Sequence, residues 1–232
     1  MISKVIHYCW FGGGEQSPKM RKCIESWSKF CPDYEIVEWN ETNYDVRKNA
    51  YLACCCDNKK WAFLSDYARL DIICENGGVY FDTDVEVVAG FDDLLEQKAF
   101  FGFETDAFVN TGLGFGSEKG GAAVRQMLQV YAPLLDGQHG TVVCPKLNTQ
   151  ALVELGLKAD GTLQRFDDFT VYPADWFNPY DDPTGRLNKT NNTRSIHWYS
   201  KSWMDPKTVL RSKLTKPLHR VFGTDAFRKF RK

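Results

Sequence analysis

Gly77-Gly78-Val79-Tyr80-Phe81-Asp82-Thr83-Asp84-Val85-Glu86-Val87-Val88 is a glycine pair feeding an alternating run. Successive side chains of a strand take opposite faces. Val79, Phe81, Thr83, Val85 and Val87 therefore make one almost wholly apolar face, and Tyr80, Asp82, Asp84 and Glu86 make the other. The pattern predicts one β-strand, with Asp82 and Asp84 pointing the same way and their Cα atoms on the order of 6.6 Å apart at about 3.3 Å per residue. No Lys or Arg within the stretch neutralises them. Two carboxylates at the end of a buried strand repel each other, and a cation relieves that repulsion. Mg2+ takes one or two carboxylates and fills its other positions with water and substrate phosphates. The pair thus points to a phosphorylated ligand, a diphosphate in the first place. A strand with one solvated face carries the same tripeptide, so the pair alone leaves both readings open.

Upstream, residues 60–76 have a helical pattern. Trp61, Leu64, Ala68 and Ile72 form one stripe, and Ala62, Asp66, Arg69 and Ile73 a second. A helix apolar on most sides is buried, and Gly77 is suited to end it. Asp66 and Arg69 share a face at i,i+3. A buried ion pair costs several kcal/mol of desolvation per ion, which is tolerated where the pair holds a ligand. The helix runs straight into the Asp82 strand, so the pair is expected near the cation.

The chain begins with a strand over 4–11, the Gly12-Gly13-Gly14 loop, a helix entered at Ser17-Pro18, and a strand over 34–39. A hydroxyl cap followed by proline at the first helical position is a strong helix start. Strand, loop, helix, strand is the opening of an α/β sheet, whose ligands bind beyond the carboxyl ends of the strands. Neither the Gly12–Gly14 loop nor Gly112-Leu113-Gly114-Phe115-Gly116 fits a dinucleotide fingerprint or a Walker loop. Further strands are expected over 99–104, 163–166, 169–172 and 194–199, and helices over 121–135 and 146–157. Thr111, Gly112 and Gly114 are small enough for a backbone to approach a ligand closely. Glu104 and Asp106 are carboxylates close to that segment and are given no covalent role.

The 232 residues, 43% of them apolar, suffice for one large domain with a small appendage. No run approaches the eighteen apolar residues of a membrane-spanning helix. Met1-Ile2-Ser3-Lys4 leads directly into a strand and lacks the parts of a signal peptide. Eight cysteines without a C-x-x-C pair fit free thiols in a reducing, cytoplasmic setting and argue against structural zinc. The charge is uneven. Residues 207–232 hold nine Lys and Arg against Asp225 alone, about +8, which leaves about −9 on residues 1–206. Leu210, Leu214 and Leu218 lie among those cations. The segment is expected to be a basic amphipathic helix that either packs on the domain or docks on an anionic membrane surface. No nucleic-acid-reading motif accompanies it, so nucleic acid is not expected as a partner.

Several segments together resemble the glycosyltransferases with a DXD sugar-binding region, the family 32 group that includes yeast Och1-type mannosyltransferases and bacterial enzymes of capsule and exopolysaccharide assembly. They are Ile6-His7-Tyr8-Cys9-Trp10-Phe11, Trp61-Ala62-x-x-Ser65-Asp66-x-x-Arg69, Gly77 to Asp84, Asn110-Thr111-Gly112 and His197 to Trp203. The clostridial glucosylating toxins are more distant relatives. The resemblance covers residues 4–204. It implies a GT-A fold (a Rossmann-like mixed sheet flanked by helices) as a catalytic domain over 1–205, followed by the basic tail over 206–232. It also implies a UDP- or GDP-sugar donor, Mn2+ or Mg2+, retention of anomeric configuration, and a glycan or glycolipid acceptor. Placed residue by residue, Asp82 and Asp84 hold the metal and the donor's ribose and diphosphate. Asp66 and Arg69 bind the donor sugar, and His197 is a late metal ligand. Ser202 and Trp203 contact the leaving diphosphate, Asn110 and Gly112 line the sugar pocket, and Trp10 lies where the nucleotide base is expected. The same acidic strand would also serve a metal-dependent phosphohydrolase or nucleotidyltransferase. A glycan-binding module without catalysis, suggested by the aromatic stretch 176–180, leaves the four charged residues without a purpose.

Overall fold

The computed structural model describes residues 1–201 and 204–223. Its centre is a mixed sheet. β1 (Val5–Cys9) lies between the parallel strands β2 (Glu35–Trp39) and β3 (Gly78–Tyr80). β7 (Phe115–Ser117) runs antiparallel to β3 and to β5 (Ala99–Thr105). β9 (Thr170–Tyr172) is parallel to β5, and β8 (Gln164–Arg165) closes the far edge. The order is β2-β1-β3-β7-β5-β9-β8, with the short β6 (Phe108–Val109) paired to β5.

The connections follow from local chemistry. α1 (Pro18–Phe30) starts where the Ser17 hydroxyl accepts the Met20 N–H at 3.3 Å, and joins β1 to β2. α2 (Ala50–Asp57) and α3 (Trp61–Asn76) carry the chain from β2 past β1 to β3. The strand order therefore reverses at β1, and the crevice between the carboxyl ends of β1 and β3 is where such sheets bind ligands. Gly77 ends α3 at φ +72°, its N–H donating to the Ile73 carbonyl, in a backbone region that disfavours a side chain. Val79 and Phe81 pack into the core on the α1 side with Ile6 and Trp27. Tyr80 faces the other core, with Leu64, Ala68 and Phe115. Both faces of β3 are covered, which excludes the solvated-strand reading.

The continuous strand expected over 79–88 is not what forms. The chain leaves the sheet after Tyr80, turns over Asp82–Asp84 with the Val85 N–H on the Asp82 carbonyl at 3.0 Å, and resumes as β4 (Val85–Val87). β4 belongs to a separate antiparallel pair with β12 (Ser195–His197), in which His197 faces Val85. The reason is that β12 and the indole N–H of Trp27, which donates to the Val85 carbonyl at 2.8 Å, claim the backbone after the turn. Downstream, α4 (Ala122–Tyr131) and α5 (Cys144–Glu154) pack together on the α3 side of the sheet. α6 (Ala174–Phe177) precedes a hairpin of β10 (Tyr180–Asp181) and β11 (Arg186–Leu187), and α7 (Pro206–Phe222) follows β12.

His7 ties the base of the sheet together. Its Nε2–H donates to the Gly77 carbonyl at 3.1 Å and its Nδ1 accepts the Trp39 indole N–H at 3.0 Å. Only the neutral ring satisfies both partners. Burial pushes its pKa down to about 4, with the Gly77 carbonyl opposing. The unfolded ring takes a proton near 6.5. The stability lent by the neutral ring is therefore complete above 6.5 and drains away as pH falls towards 4. Imidazole 15N spectra are expected to show His7 as the neutral Nε2–H form at pH 5.5. A charged ring at that pH would contradict the assignment.

Candidate active site

The turn after β3 brings Asp82 and Asp84 together, and β12 supplies His197. One donor atom from each of the three lies within 4.8 Å of the others, and among the described residues no other such group of His, Cys, Asp and Glu exists. The carboxylates converge because the chain turns, not because a strand alternates. Asp84 and His197 are buried, whereas the Asp82 side chain keeps 26% exposure and opens the cluster to the outside. His197 Nε2 sits 3.1 Å from Asp84 Oδ1, and Asp84 Oδ2 accepts the Ser200 backbone N–H at 2.5 Å. Among the described residues the buried His197 Nδ1 has no partner. Two carboxylates and an imidazole with a spare nitrogen are a donor set that fits a divalent cation.

Arg69 links this cluster to α3. Its guanidinium, 3% exposed, meets Asp66 at 2.8 Å and Asp82 at 3.1 Å. It also lies over the Tyr80 ring at 5.1 Å, and the Tyr80 hydroxyl donates to Asp82 Oδ1 at 3.1 Å. One buried cation thus stands between two carboxylates, held in place by its Nε–H on the Ser65 carbonyl at 3.2 Å.

The carboxylates differ in how readily they hold a proton. Burial raises Asp66 to about 6 against the pull of Arg69. Asp82 is also pushed up, by burial first with Arg69 opposing, and water at its exposed edge moderates the push. Burial works against the Asp84 charge as well, yet His197 and the Ser200 N–H outweigh it and hold the carboxyl well below the usual range. His197 is raised in turn, because the Asp84 charge overcomes the cost of burying imidazolium. Asp84 is therefore the firmest anionic ligand of the group, and His197 would bind a cation as the neutral ring, since a protonated imidazole has no lone pair to offer.

Asn110 and Gly112 form the facing wall. Asn110 Oδ1 accepts the Gly112 N–H at 2.7 Å and so shapes the turn that follows β6. A Cβ on Gly112 would stand 2.4 Å from Asp82 Oδ2 and 2.9 Å from Arg69 Nη1. Close packing leaves no room for it. Gly112→Ala is expected to displace Asp82 and reduce divalent-cation binding by at least about tenfold, as loss of a supporting contact typically does. Titration of Mn2+ into the variant checks this, and unchanged affinity would show that Gly112 has no such role.

Of the residues singled out in the sequence, Asp66, Arg69, Asp82, Asp84, Asn110, Gly112 and His197 gather in one place. Trp10 follows the carboxyl end of β1, and its indole N–H donates to the Gly14 carbonyl at 2.7 Å. Ser202 and Trp203 lie outside the described residues. The sequence reading missed Tyr80, although it shares a strand face with Asp82. It also missed Tyr199, whose hydroxyl donates to Glu104 Oε1 at 3.0 Å, and the Ser200 N–H on Asp84.

Residues 17–101, a little over a third of the chain, match the model of a family described as glycosyltransferase sugar-binding region containing DXD motif. Among solved structures the chain is similar to the PaToxG glycosyltransferase, at 17% identity over 67% of this chain and 69% of that one, with a TM-score of 0.54. It is also similar to a glycosyltransferase involved in glycosylation of the major capsid of PBCV-1, at 10% identity over 91% and 98% of the two chains and a TM-score of 0.48. The galactosyltransferase LgtC in complex with donor and acceptor sugar analogues aligns at 12% identity over 97% and 99%, with a TM-score of 0.47. No curated protein sequence matches the chain. The fold is the GT-A fold expected from the sequence.

Proposed function

We propose that this chain, a glycosyltransferase with a DXD sugar-binding region, transfers a hexose from a nucleotide-diphosphate sugar to a glycan with retention of configuration. The observation that carries the reading is the convergence of Asp82, Asp84 and His197 on the carboxyl edge of the sheet, with Arg69 and Asp66 beside them. These three side chains would hold Mn2+ in preference to Mg2+, since an imidazole suits the softer ion. The bound cation supplies Lewis-acid charge that stabilises a departing diphosphate, worth several kcal/mol. The residues themselves do the rest. Arg69 adds a fixed positive charge that needs no reorganisation, and Asp66 and Asp82 keep it aimed. Asp66 and Arg69 would bind the donor sugar, Asn110 and Gly112 would line its pocket, and Trp10 would flank the base at the end of β1. Ser202 and Trp203 would reach the diphosphate. The family 32 assignment and the division into 1–205 and 206–232 belong to the same reading.

Screening UDP- and GDP-sugars for Mn2+-dependent release of the nucleoside diphosphate tests it. Release that needs a sugar on the nucleotide supports the reading. Equal cleavage of plain nucleotides or phosphate esters would favour the hydrolase or nucleotidyltransferase alternative.

The acceptor is proposed to be lipid-linked, as in capsule, exopolysaccharide or lipopolysaccharide assembly, and the enzyme to work at the cytoplasmic face of a membrane. The support is an inversion in α7. The helix turns its polar side inward, with Lys216 on Asp182 at 2.8 Å and His219 on the Pro183 carbonyl at 3.2 Å. Leu210, Leu214 and Leu218 face out at 58%, 68% and 43% exposure. Among the described residues no helix is long and apolar enough to cross a membrane. An outward leucine stripe with flanking cations is the pattern of an interfacial helix. Replacing the three leucines with Ser in the full chain is expected to weaken sedimentation with phosphatidylserine vesicles at least about tenfold. Equal sedimentation of the two proteins would remove the membrane from the account.

A further inference from the structure

A cavity of about 580 Å3 opens between the end of β5 and the segment from α6 to β10. That is within the usual size of a small-ligand site, roughly 300–1,000 Å3. Glu104 joins it to the DXD cluster, because its Oε1 accepts from Asn110 Nδ2 at 3.2 Å and from the Tyr199 hydroxyl at 3.0 Å. Asn178 forms part of the wall and is only 9% exposed. Its Nδ2 donates to the Glu104 carbonyl at 3.0 Å and to the Tyr199 hydroxyl at 2.8 Å, and the buried Oδ1 has no partner among the described residues. A buried amide oxygen left unpaired costs free energy that a hydroxyl or ammonium donor would recover.

The remaining wall has one sign of charge. Asp106, Asp175, Asp181 and Asp182 line it beside Glu104, and among the described residues no Lys, Arg or His lines it. Lys201 and Lys216 are both engaged by Asp182, at 2.5 and 2.8 Å, and Lys216 also donates to the Tyr180 hydroxyl at 2.8 Å. These carboxylates do not draw together as a metal site does, since among the described residues only Asp82, Asp84 and His197 are so grouped. They are spread around a space wide enough for a sugar ring. Ionised carboxylates only accept hydrogen bonds, so they suit hydroxyl and ammonium donors and repel anions.

We propose that this cavity is the acceptor subsite and that it selects an amine-bearing, cationic glycan over an acidic one. The inference rests on the glycosyl-transfer reading of the neighbouring cluster. Its test is binding and needs no turnover. The full chain is titrated calorimetrically with a trisaccharide of glucosamine, the same trisaccharide N-acetylated, and a trisaccharide of galacturonate, at about pH 6 and low salt. The glucosamine trisaccharide is expected to bind on the order of tenfold more tightly than the acetylated one, the sum of several weak amine–carboxylate pairs. Galacturonate is expected not to bind, and added salt is expected to erase the preference. Asp106→Asn, at an exposed position on the rim, is expected to reduce it by several-fold. Equal affinities, tighter binding of galacturonate, or no binding of any of the three overturns the proposal. Selective glucosamine binding without sugar release in the nucleotide-sugar screen would leave the cavity's preference for cationic glycans standing and sink the transfer reading together with the acceptor role.

Discussion

Asp84→Asn is expected to lower Mn2+-dependent turnover of the donor by roughly a thousandfold, the scale of losing several kcal/mol of Lewis-acid stabilisation. The substitution keeps the shape of the side chain and removes its charge. Asp84 is the carboxyl held most firmly as an anion, since His197 and the Ser200 N–H outweigh its burial. Without that charge His197 loses its nearest anionic partner and the cation loses its strongest ligand. The fold should survive, because the carboxamide oxygen can still accept the Ser200 N–H. Steady-state kinetics with the donor identified by the screen, together with circular dichroism, checks both halves. Near-normal turnover in the variant would show that the cation is held elsewhere.

Arg69→Met is expected to destabilise the protein by about 3–5 kcal/mol, the usual consequence of removing one member of a buried charged network. The guanidinium is 3% exposed and separates Asp66 from Asp82 at 2.8 and 3.1 Å. Methionine fills much of the space and leaves two carboxylates facing each other without a cation. Adding Asp82→Asn should restore part of the stability, because it removes one of the stranded charges, and should restore no activity. Urea unfolding of the two variants and the parent measures the effect. A loss under about 1 kcal/mol would show that solvent, rather than Arg69, balances the carboxylates.

Much of this site is legible in the sequence because its parts are local. Asp66 and Arg69 sit at i,i+3 on a helix stripe closed by the apolar Ala62 and Ile73, on a helix apolar on most sides, which turns them inward together. Asp82 and Asp84 follow that helix within one connection. The error over 79–88 has a physical source. Period-two alternation continues through the Asp82–Asp84 turn, so the pattern cannot distinguish a strand from two strands joined by a turn that keeps both carboxylates on one side. What decides is β12, more than a hundred residues later, which pairs with Val85–Val87 and not with the main sheet.

His197 illustrates the same limit. As an isolated histidine it has no local signal, and only the resemblance of the whole set of segments pointed to it. The register of β12 against β4 then places it opposite Val85, one residue from Asp84. The contacts among Glu104, Asn178 and Tyr199 were not legible, since these residues are 21 to 95 positions apart. Glu104 stood out beside the glycine segment and Tyr199 lies inside the His197 to Trp203 stretch, but nothing local joins them. For α7 the leucine spacing announced an amphipathic helix, but not that its polar side would be the one held by the domain through Asp182.

Manganese uptake followed by electron paramagnetic resonance tests the central assignment most directly. Free Mn2+ gives a sharp six-line signal that broadens away when the ion is bound. Measured against a protein-free blank of Mn2+ and nucleoside diphosphate, the parent chain should remove the remaining signal stoichiometrically, and Asp84→Asn at the same concentration should leave the blank nearly unchanged. Equal loss of signal in both proteins would contradict a cation held by Asp82, Asp84 and His197.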